Sequence, residues 1–336
     1  MPTSTRRVVV TQRFFDPATI AYLEQSGCEV VIADLPAGKA DGDLVQTELE
    51  ALLHGAAGWI VGHARVTRDL LTALPDLRVI SRRGVGYERV DLDAVRDLGR
   101  VACIAAGGND ASVADHTVAM MLALGRRFRE SQARMQAGDW SILMGSDLYR
   151  KTVGIVGFGR IGRSVAQRLQ GFEADILVHS LSHDLEDAGG RLTPSSLPDL
   201  LARSDYVTLH APLTPQTRFM IDAAALAAMK PTAFLINAAR GGLVDDRALL
   251  EALRAGTIAG AGLDTFVSES DPEYRPVSEA LLALPNVVAT PHAAASSREG
   301  LDRTNAVAAR CVVDVLDGRA PPAACVVADG RSSVSR

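Results

Sequence analysis

Apolar and polar positions alternate along this chain in two blocks, each built of short β-branched runs followed by stretches with apolar residues three or four apart. The first pattern reads as strand and the second as amphipathic helix. In the N-terminal block the strands are expected at Val8–Thr11, Cys28–Ala33, Trp59–Val61, Val79–Ser81 and Val101–Ile104. Helices are expected at Pro17–Gln25, Asp43–Leu53, Thr67–Ala73 and Asp93–Leu98. Asn109–Gly125 is apolar nearly all round, which predicts a buried helix crossing from one domain to the next. Arg126–Asp139 is expected to continue it with a polar face.

The second block opens at Thr152. Its strands are expected at Val153–Val156, Asp175–His179, Tyr206–Leu209, Ala233–Asn237, Gly260–Asp264 and Val287–Ala289. Its helices are expected at Arg163–Leu169, Ser196–Ala202, Ala223–Ala228 and Asp246–Ala255, with a return helix at Glu299–Asp317. The tail from Asp329 is polar and is expected to fray. Strand–helix alternation favours parallel sheets covered on both faces. The fold class predicted is α/β, with two doubly wound parallel-sheet domains and a cleft between them. The expected boundaries are 1–106 plus 298–330 for a substrate domain and 107–297 for the other.

Composition leaves that picture intact. The chain has 336 residues, 47% hydrophobic and 22% charged, as expected of an ordinary globular protein. A net charge of −5 argues against a general nucleic-acid binder. No apolar run is long enough to span a membrane, so no membrane partner is expected. The N-terminus reads as a first strand and not as a signal peptide. Cys28, Cys103, Cys311 and Cys325 lie far apart and without metal spacing. They read as reduced thiols of a cytoplasmic protein, and no metal is expected.

The chemistry begins at TVGIVGFGRIG, residues 152–162. A strand, then G-x-G-x-x-G, then a helical pattern is the Rossmann fingerprint for a dinucleotide. Gly157 permits the tight turn, Gly159 lets backbone approach a pyrophosphate, and Gly162 lets the helix pack closely. The N-terminus of the helix that follows attracts the phosphates.

Three further residues follow strand ends, where ligands of open α/β sheets bind. Arg240, in INAARGGLVD, has the guanidinium fork that suits a carboxylate or polarised carbonyl. Read alone, it is equally a surface ion-pair arginine. His292, in VVATPHAAASS, suits general acid–base work, or is a capped loop histidine. Glu269, in GLDTFVSES, would hold an imidazole tautomer and raise its pKa, or is a solvated loop glutamate.

Together and in this order, with HAPLTPQT at His210–Thr217, these motifs resemble the D-isomer-specific 2-hydroxyacid dehydrogenases. That family includes phosphoglycerate dehydrogenase and glyoxylate/hydroxypyruvate reductase. The resemblance runs from VISRRGVGYERVDL (Val79–Leu92) to Gly318. It implies two α/β domains, Rossmann-like and flavodoxin-like. It implies an NAD(P)-dependent enzyme that interconverts a small 2-oxo acid and its D-2-hydroxy acid. Arg240 would hold the substrate, His292 donate the proton and Glu269 partner it. Arg160 and Ile161 would lie against the pyrophosphate, Pro212, Thr217 and Ala238 would line the nicotinamide riboside, Asp264 would stand near the carboxamide, and His210 would also bind the cofactor. Gly84, Val85 and Gly86 would bind the substrate carboxylate through backbone N–H groups. A homodimer, formed largely through Ser112–Trp140, is also implied.

The pattern is broken in places. Ser180 stands where NAD-using relatives carry an acid for the ribose 2′-OH. Ser180, Ser182, His179 or His183 would admit a 2′-phosphate. No arginine follows directly, so the expectation is NAD or NADP with the balance toward NAD. Arg82 matches an arginine that meets the substrate phosphate in phosphoglycerate dehydrogenase. It would hold a phosphate or phosphonate, with His63 and Arg65 adding to the site. Alternatively, Arg82 and Arg83 make domain-interface ion pairs. Asp115 replaces the family's usual Glu, and Ser270 its usual Pro, before the insertion SDPEYRP. The chain ends soon after the return helix, so feedback through an added regulatory domain is not expected. The competing functional readings are a dinucleotide-sensing, corepressor-like binding protein and a formate- or phosphite-type dehydrogenase.

Overall fold

The structure is a computed structural model and describes residues 6–36, 38–180 and 192–331. The chain divides into two compact units. One comprises Met1–Asn109 with Ser296–Arg336, and the other Asp110–Ala295.

The first unit holds β1 (Arg7–Val10), β2 (Glu29–Ile32), β3 (Gly58–Val61), β4 (Val79–Arg82) and β5 (Val101–Ile104). Its sheet has six strands in the order β13-β5-β4-β3-β1-β2, where β13 is Val326–Asp329. All pairings are parallel except β13 with β5. Alternate side chains sort to opposite faces, as the pleat demands. Val8, Val10, Ile60 and Val79 pack with Ala308, Ala309 and Val312 of the helix Arg298–Leu316. Val9, Trp59, Val61 and Ile80 pack with Leu49, Leu53, Leu70 and Leu71 on the other side. Gly58 is required by this packing, since a Cβ there would sit 2.8 Å from Val312 Cγ1.

The second unit holds β6 (Thr152–Val156), β7 (Asp175–His179), β8 (Leu192–Pro194), β9 (Tyr206–Leu209), β10 (Phe234–Asn237), β11 (Gly260–Leu263) and β12 (Val287–Ala289). Its seven strands are parallel, in the order β12-β11-β10-β9-β6-β7-β8. The chain starts at β6 in the middle and winds outward in both directions, the doubly wound arrangement. The buried helix Asp110–Gly125 and the helix Arg160–Leu169 cover one face. Met121, Leu124, Val165 and Leu169 pack there on Val153, Ile155 and Ile236.

Several expectations are corrected. The long helix does not run on through residues 126–139. It ends at Gly125, Arg127 takes a left-handed φ of 52°, and a separate helix Phe128–Gln136 follows. A Cβ on Gly125 would lie 2.4 Å from the Tyr206 hydroxyl, so this turn is pressed against the sheet. The second helix begins at Gln46 and not at Asp43, because Asp41–Asp43 forms a 3₁₀ turn around the buried Asp41. Asp329 is the last residue of β13 and not the start of a frayed tail. The short β8 and the helix Arg275–Ala283, which begins at the end of the insertion that follows Glu269, were not expected from the sequence.

Candidate active site

Within the second unit the strand ends carry the site. The Gly-rich turn comes first. Gly157 has φ +93°, and a Cβ on it would lie 2.6 Å from the backbone of His210 and Ala211. A Cβ on Gly162 would lie 2.3 Å from the Gly157 carbonyl oxygen. A Cβ on Gly159 would meet nothing within 4 Å, so this position opens outward. Gly159 is also the N-cap of Arg160–Leu169 and supplies no side-chain hydrogen bond. Seven other helix starts are capped by side chains, those of Asp16, Thr67, Asp91, Ser196, Asp222, Asp245 and Ser297, while Val45, Arg127 and Tyr274 supply no cap. An uncapped N-terminus beside an open glycine offers backbone N–H donors and a positive dipole end to an anion. The turn therefore fits a dinucleotide pyrophosphate. Ile161 and Ala238 meet there in a small apolar cluster with Val113 and Ala294.

The other residues expected around the cofactor fall into place unequally. His210 donates its backbone N–H to Val156 O at 2.7 Å, and its Nε2 lies 3.0 Å from Thr208 Oγ1. Burial pushes its imidazole down to about 4, so the ring is neutral near pH 7. Pro212 is exposed in the following loop. Thr217 closes that loop. Its hydroxyl donates to Pro212 O at 2.7 Å and accepts from Thr214 N–H at 2.8 Å, so it shapes the loop and does not present a free group. Ser180 is half-buried just past β7, and His179 Nδ1 bonds Ser195 O at 3.2 Å. Ser182 and His183 lie outside the described residues.

The polar constellation is built from β10, β11 and β12. Asn237 ends β10 buried. Its amide donates to Arg240 O at 2.8 Å and its carbonyl accepts from Ala239 N–H at 3.1 Å, which fixes the turn that presents Arg240. Gly241 follows because a Cβ there would lie 2.2 Å from the Phe266 backbone. The Arg240 turn thus rests directly on the segment that carries Glu269. That segment is a 3₁₀ turn, Val267–Glu269. Asp246, 1% exposed, accepts from Val267 N–H at 2.9 Å and seats it from beneath. Burial pushes the Asp246 carboxyl up to about 7, against the pull of that hydrogen bond.

Glu269 uses both oxygens. Oε1 accepts from Phe266 N–H at 2.8 Å, and Oε2 accepts from His292 Nδ1 at 2.7 Å. A carboxylate only accepts, so Nδ1 carries hydrogen and Nε2 is the atom from which a further proton is exchanged. The two side chains are 38% and 40% exposed, within reach of a ligand.

His292 has a left-handed φ of 52°, a conformation that a non-glycine residue keeps only when its surroundings impose it. Asp264 is what imposes it. His292 N–H donates to the Asp264 carbonyl at 2.8 Å. The Asp264 carboxylate accepts from Ala293 N–H at 2.7 Å and Ala294 N–H at 2.9 Å, and from the Thr290 hydroxyl. Thr290 Oγ1 in turn lies 2.9 Å from His116 Nε2 on the helix Asp110–Gly125. Since the hydroxyl hydrogen goes to Asp264, the imidazole is the donor to Thr290. Asp264 was expected at the cofactor, yet its enclosed side chain is bound into the loop that carries His292.

Among the residues that hold the site, the sequence reading passed over Asn237, Asp246, Thr290 and His116. Each is a polar residue inside or beside an apolar run, and that is the signal that marks them.

In the first unit Gly84–Gly86 follow β4, and Gly84 N–H and O are bonded to Arg82 O and Ala105 N–H at 2.9 Å each. Arg82 Nη1 bonds the Gly62 carbonyl, so its guanidinium lies along its own sheet edge. Among the described residues, no group of three His, Cys, Asp or Glu side chains is arranged to hold a metal. No described helix is long and apolar enough to cross a membrane.

This geometry agrees with what the chain resembles. The family model for the D-isomer specific 2-hydroxyacid dehydrogenase, NAD binding domain, matches residues 118–294. The chain belongs to this family. It is 40% identical over 299 residues to glyoxylate/hydroxypyruvate reductase B of Pectobacterium carotovorum, covering 85% of this chain and 91% of that protein. It is 39% identical over 294 residues to D-3-phosphoglycerate dehydrogenase of Mycobacterium leprae, covering 85% of this chain and 54% of that protein. The chain thus spans about half the length of the phosphoglycerate dehydrogenases it matches. The crystal structure of D-lactate dehydrogenase with NAD+ from Lactobacillus jensenii superposes with a TM-score of 0.79 at 27% identity, over 96% of this chain and 99% of that one.

Proposed function

We propose that this protein is an NAD-dependent reductase of small 2-oxo acids that forms the D-2-hydroxy acid. The observation that carries the reading is the His292–Glu269 pair, presented at 2.7 Å on a loop that Asp264 holds in place. The Gly157–Gly162 turn would hold NADH, whose chemistry when bound would be hydride transfer to the substrate carbonyl carbon. Arg240 holds the substrate carboxylate and stabilises the negative charge that develops on the carbonyl oxygen. His292 delivers its proton to that oxygen from Nε2, while Glu269 accepts from Nδ1 and holds the ring in the orientation for transfer. The reverse direction uses the same groups with the proton moving back to His292. In the first unit the Gly84 N–H is bonded to Arg82 O, so the further backbone donors that this reading assigns to the substrate are those of Val85 and Gly86. NAD is preferred over NADP because the family model matched is an NAD-binding domain and no arginine follows Ser180 directly.

The protein acts as a homodimer in this reading. The second unit exposes Phe128, Met135, Trp140, Ile142 and Met144 along one continuous stretch of chain, with Ile142 94% exposed. Such a run of large apolar side chains favours burial against a second copy.

The deciding experiment follows NADH and NADPH oxidation with glyoxylate, hydroxypyruvate, phosphohydroxypyruvate, pyruvate and 2-oxoglutarate. Turnover of at least one acid, faster with NADH, is expected. Arg240→Ala is expected to lower kcat/KM by at least ~10²-fold, the scale of losing one charge-stabilising donor. NADH binding with no turnover of any acid would instead favour the dinucleotide-sensing reading.

A further inference from the structure

The insertion SDPEYRP, residues 270–276, follows Glu269 directly, and no step of the reaction above uses it. It forms a second 3₁₀ turn, Pro272–Tyr274, capped by Asp271, whose carboxylate accepts from Glu273 N–H at 3.1 Å. This turn is fastened to the one that carries Glu269. Asp271 N–H donates to Val267 O at 3.0 Å, and Ser278 Oγ, on the helix Arg275–Ala283, donates to Ser268 Oγ at 2.8 Å. Tyr274 then reaches two segments that are distant in the chain. Its ring lies 6.4 Å from that of Phe219, inclined at 37°, and the Arg247 guanidinium carbon lies 4.5 Å from its centre. Both are distances of favourable ring–ring and cation–ring contact. Arg150 and Arg163 also lie over rings, those of Tyr149 and Phe158, but each of these pairs sits within one short stretch of chain. The Tyr274 contacts join separate elements. Arg247 stands next to Asp246, which seats the Glu269 turn from beneath.

Phe219 closes the loop that carries Pro212 and Thr217. It has a left-handed φ of 54°, which a non-glycine residue keeps only when its surroundings impose it. Its N–H donates to Gly242 O at 2.7 Å, in the turn that follows Arg240. Leu213 packs on the same turn, since a Cβ on Gly242 would lie 3.2 Å from Leu213 Cδ2. Phe219 is thus bonded to the Arg240 turn through its backbone and meets the insertion through its ring.

We propose that Tyr274 is a positioning residue. Its ring ties the loop Leu213–Phe219 to the turn of Glu269, so that this loop, Arg240 and the His292–Glu269 pair keep one arrangement. The proposal rests on the reductase reading, which gives Pro212 and Thr217 to the cofactor, Arg240 to the substrate and Glu269 to the proton donor. Tyr274 itself takes no part in the transfer. A misplacement of about 1 Å between reacting groups slows a reaction far more than it destabilises a fold.

The test measures kcat and KM with NADH and the acids named above, NADH Kd by fluorescence, Tm, and amide hydrogen exchange in the protein without cofactor. The variants are Tyr274→Ala, Tyr274→Phe, Phe219→Leu and the double variant of the first and third. Tyr274 is half-buried, so its truncation opens no cavity in the core. Tyr274→Ala is expected to lower kcat about three- to tenfold, the range that one ring contact supplies, with NADH Kd nearly unchanged. Its Tm is expected to stay within about 4 °C of the wild type. Tyr274→Phe keeps the ring and is expected to restore kcat. Phe219→Leu is expected to lose as much as Tyr274→Ala, and the double variant no more than either, because both cut the same contact. The amides of Phe219 and Glu269 are expected to exchange faster in Tyr274→Ala, while those of the helix Arg160–Leu169 do not change. Equal losses of kcat in Tyr274→Phe and Tyr274→Ala would assign the effect to the hydroxyl and overturn the proposal. Additive losses in the double variant would overturn it too, as would a lowered Tm at unchanged kcat, which marks a contact that only stabilises. If the wild type reduces none of the acids, the reductase reading fails, and amide exchange still decides whether Tyr274 ties the two segments together.

Discussion

Two histidine–carboxylate arrangements lie side by side in the second unit, and they are built in opposite ways. His292 and Glu269 touch directly, and their side chains are 38% and 40% exposed. Two residues before His292, Thr290 links His116 to Asp264, whose side chain is 0% exposed. A pair that exchanges protons with a ligand must be reachable. A network that fixes where that pair stands gains from being closed, because low local dielectric strengthens each hydrogen bond. The same residue types therefore perform chemistry when open and hold geometry when enclosed.

The comparison can be broken most sharply at His292. His292→Ala is expected to lower kcat by ~10²–10⁴-fold, the range of general acid–base catalysis, with NADH affinity and Tm near those of the wild type. Steady-state kinetics, fluorescence titration and calorimetry measure these three, and retained turnover would remove His292 from proton transfer. Asp264→Ala is expected to lower kcat and Tm together. It strands the N–H groups of Ala293 and Ala294, at a cost of about 1–3 kcal/mol for each buried donor left unpaired. A large loss of kcat at unchanged Tm would instead place Asp264 in direct contact with the reacting molecules.

Thr290→Val removes the hydroxyl that bonds both Asp264 and His116. A drop in kcat of about five- to thirtyfold is expected, for two hydrogen bonds of up to ~1 kcal/mol each, and Thr290→Ser should restore it. The smallest effect belongs to Asp246, beneath the Glu269 turn. Its folded pKa of about 7 lies above the ordinary carboxylate value, so its protonated form is favoured in the folded state. Its contribution to stability is fully present below about pH 4 and is lost as pH rises through about 7. Asp246→Asn, which cannot ionise, should flatten that fall. Tm measured at pH 5 and pH 8 should show the variant gaining on the wild type at the higher pH, and an unchanged difference would mean that Asp246 titrates as an exposed acid.

Sequence and structure agree best where backbone geometry makes a demand that only one residue type meets. Gly157, Gly159 and Gly162 announce the turn because a side chain at Gly157 or Gly162 would collide with backbone. Arg240, Glu269 and His292 are visible because each follows an apolar strand, where a charged or ionisable residue stands out. The bracing residues were harder to see. Asp246 looks like an ordinary first-turn acid of the helix Asp246–Ala255, and its burial comes from packing across the chain. His116 sits in an apolar helix, and its partner Thr290 lies 174 positions away. Asp264 was seen as a site residue, but its bonds to the His292 loop depend on a left-handed backbone that no local pattern encodes. The break at Arg127 and the strand Val326–Asp329 were missed for a similar reason. The first is imposed by the close approach of Gly125 to Tyr206, and the second by pairing with β5, more than 200 residues earlier.

The antiparallel edge strand β13 has a consequence for how the protein comes into being. Synthesis proceeds from the N-terminus, and domains fold as their residues emerge. The sheet of the first unit takes β1 to β5 from the first third of the chain. Its covering helix Arg298–Leu316 and its last strand Val326–Asp329 come only at the end. The second unit is continuous in sequence and has all its strands before either piece is made. While the ribosome works through the second unit, Val8, Val10, Ile60 and Val79 lack the helix that covers them, and β5 presents an unpaired edge. The half of the protein that is translated first is the half that is completed last.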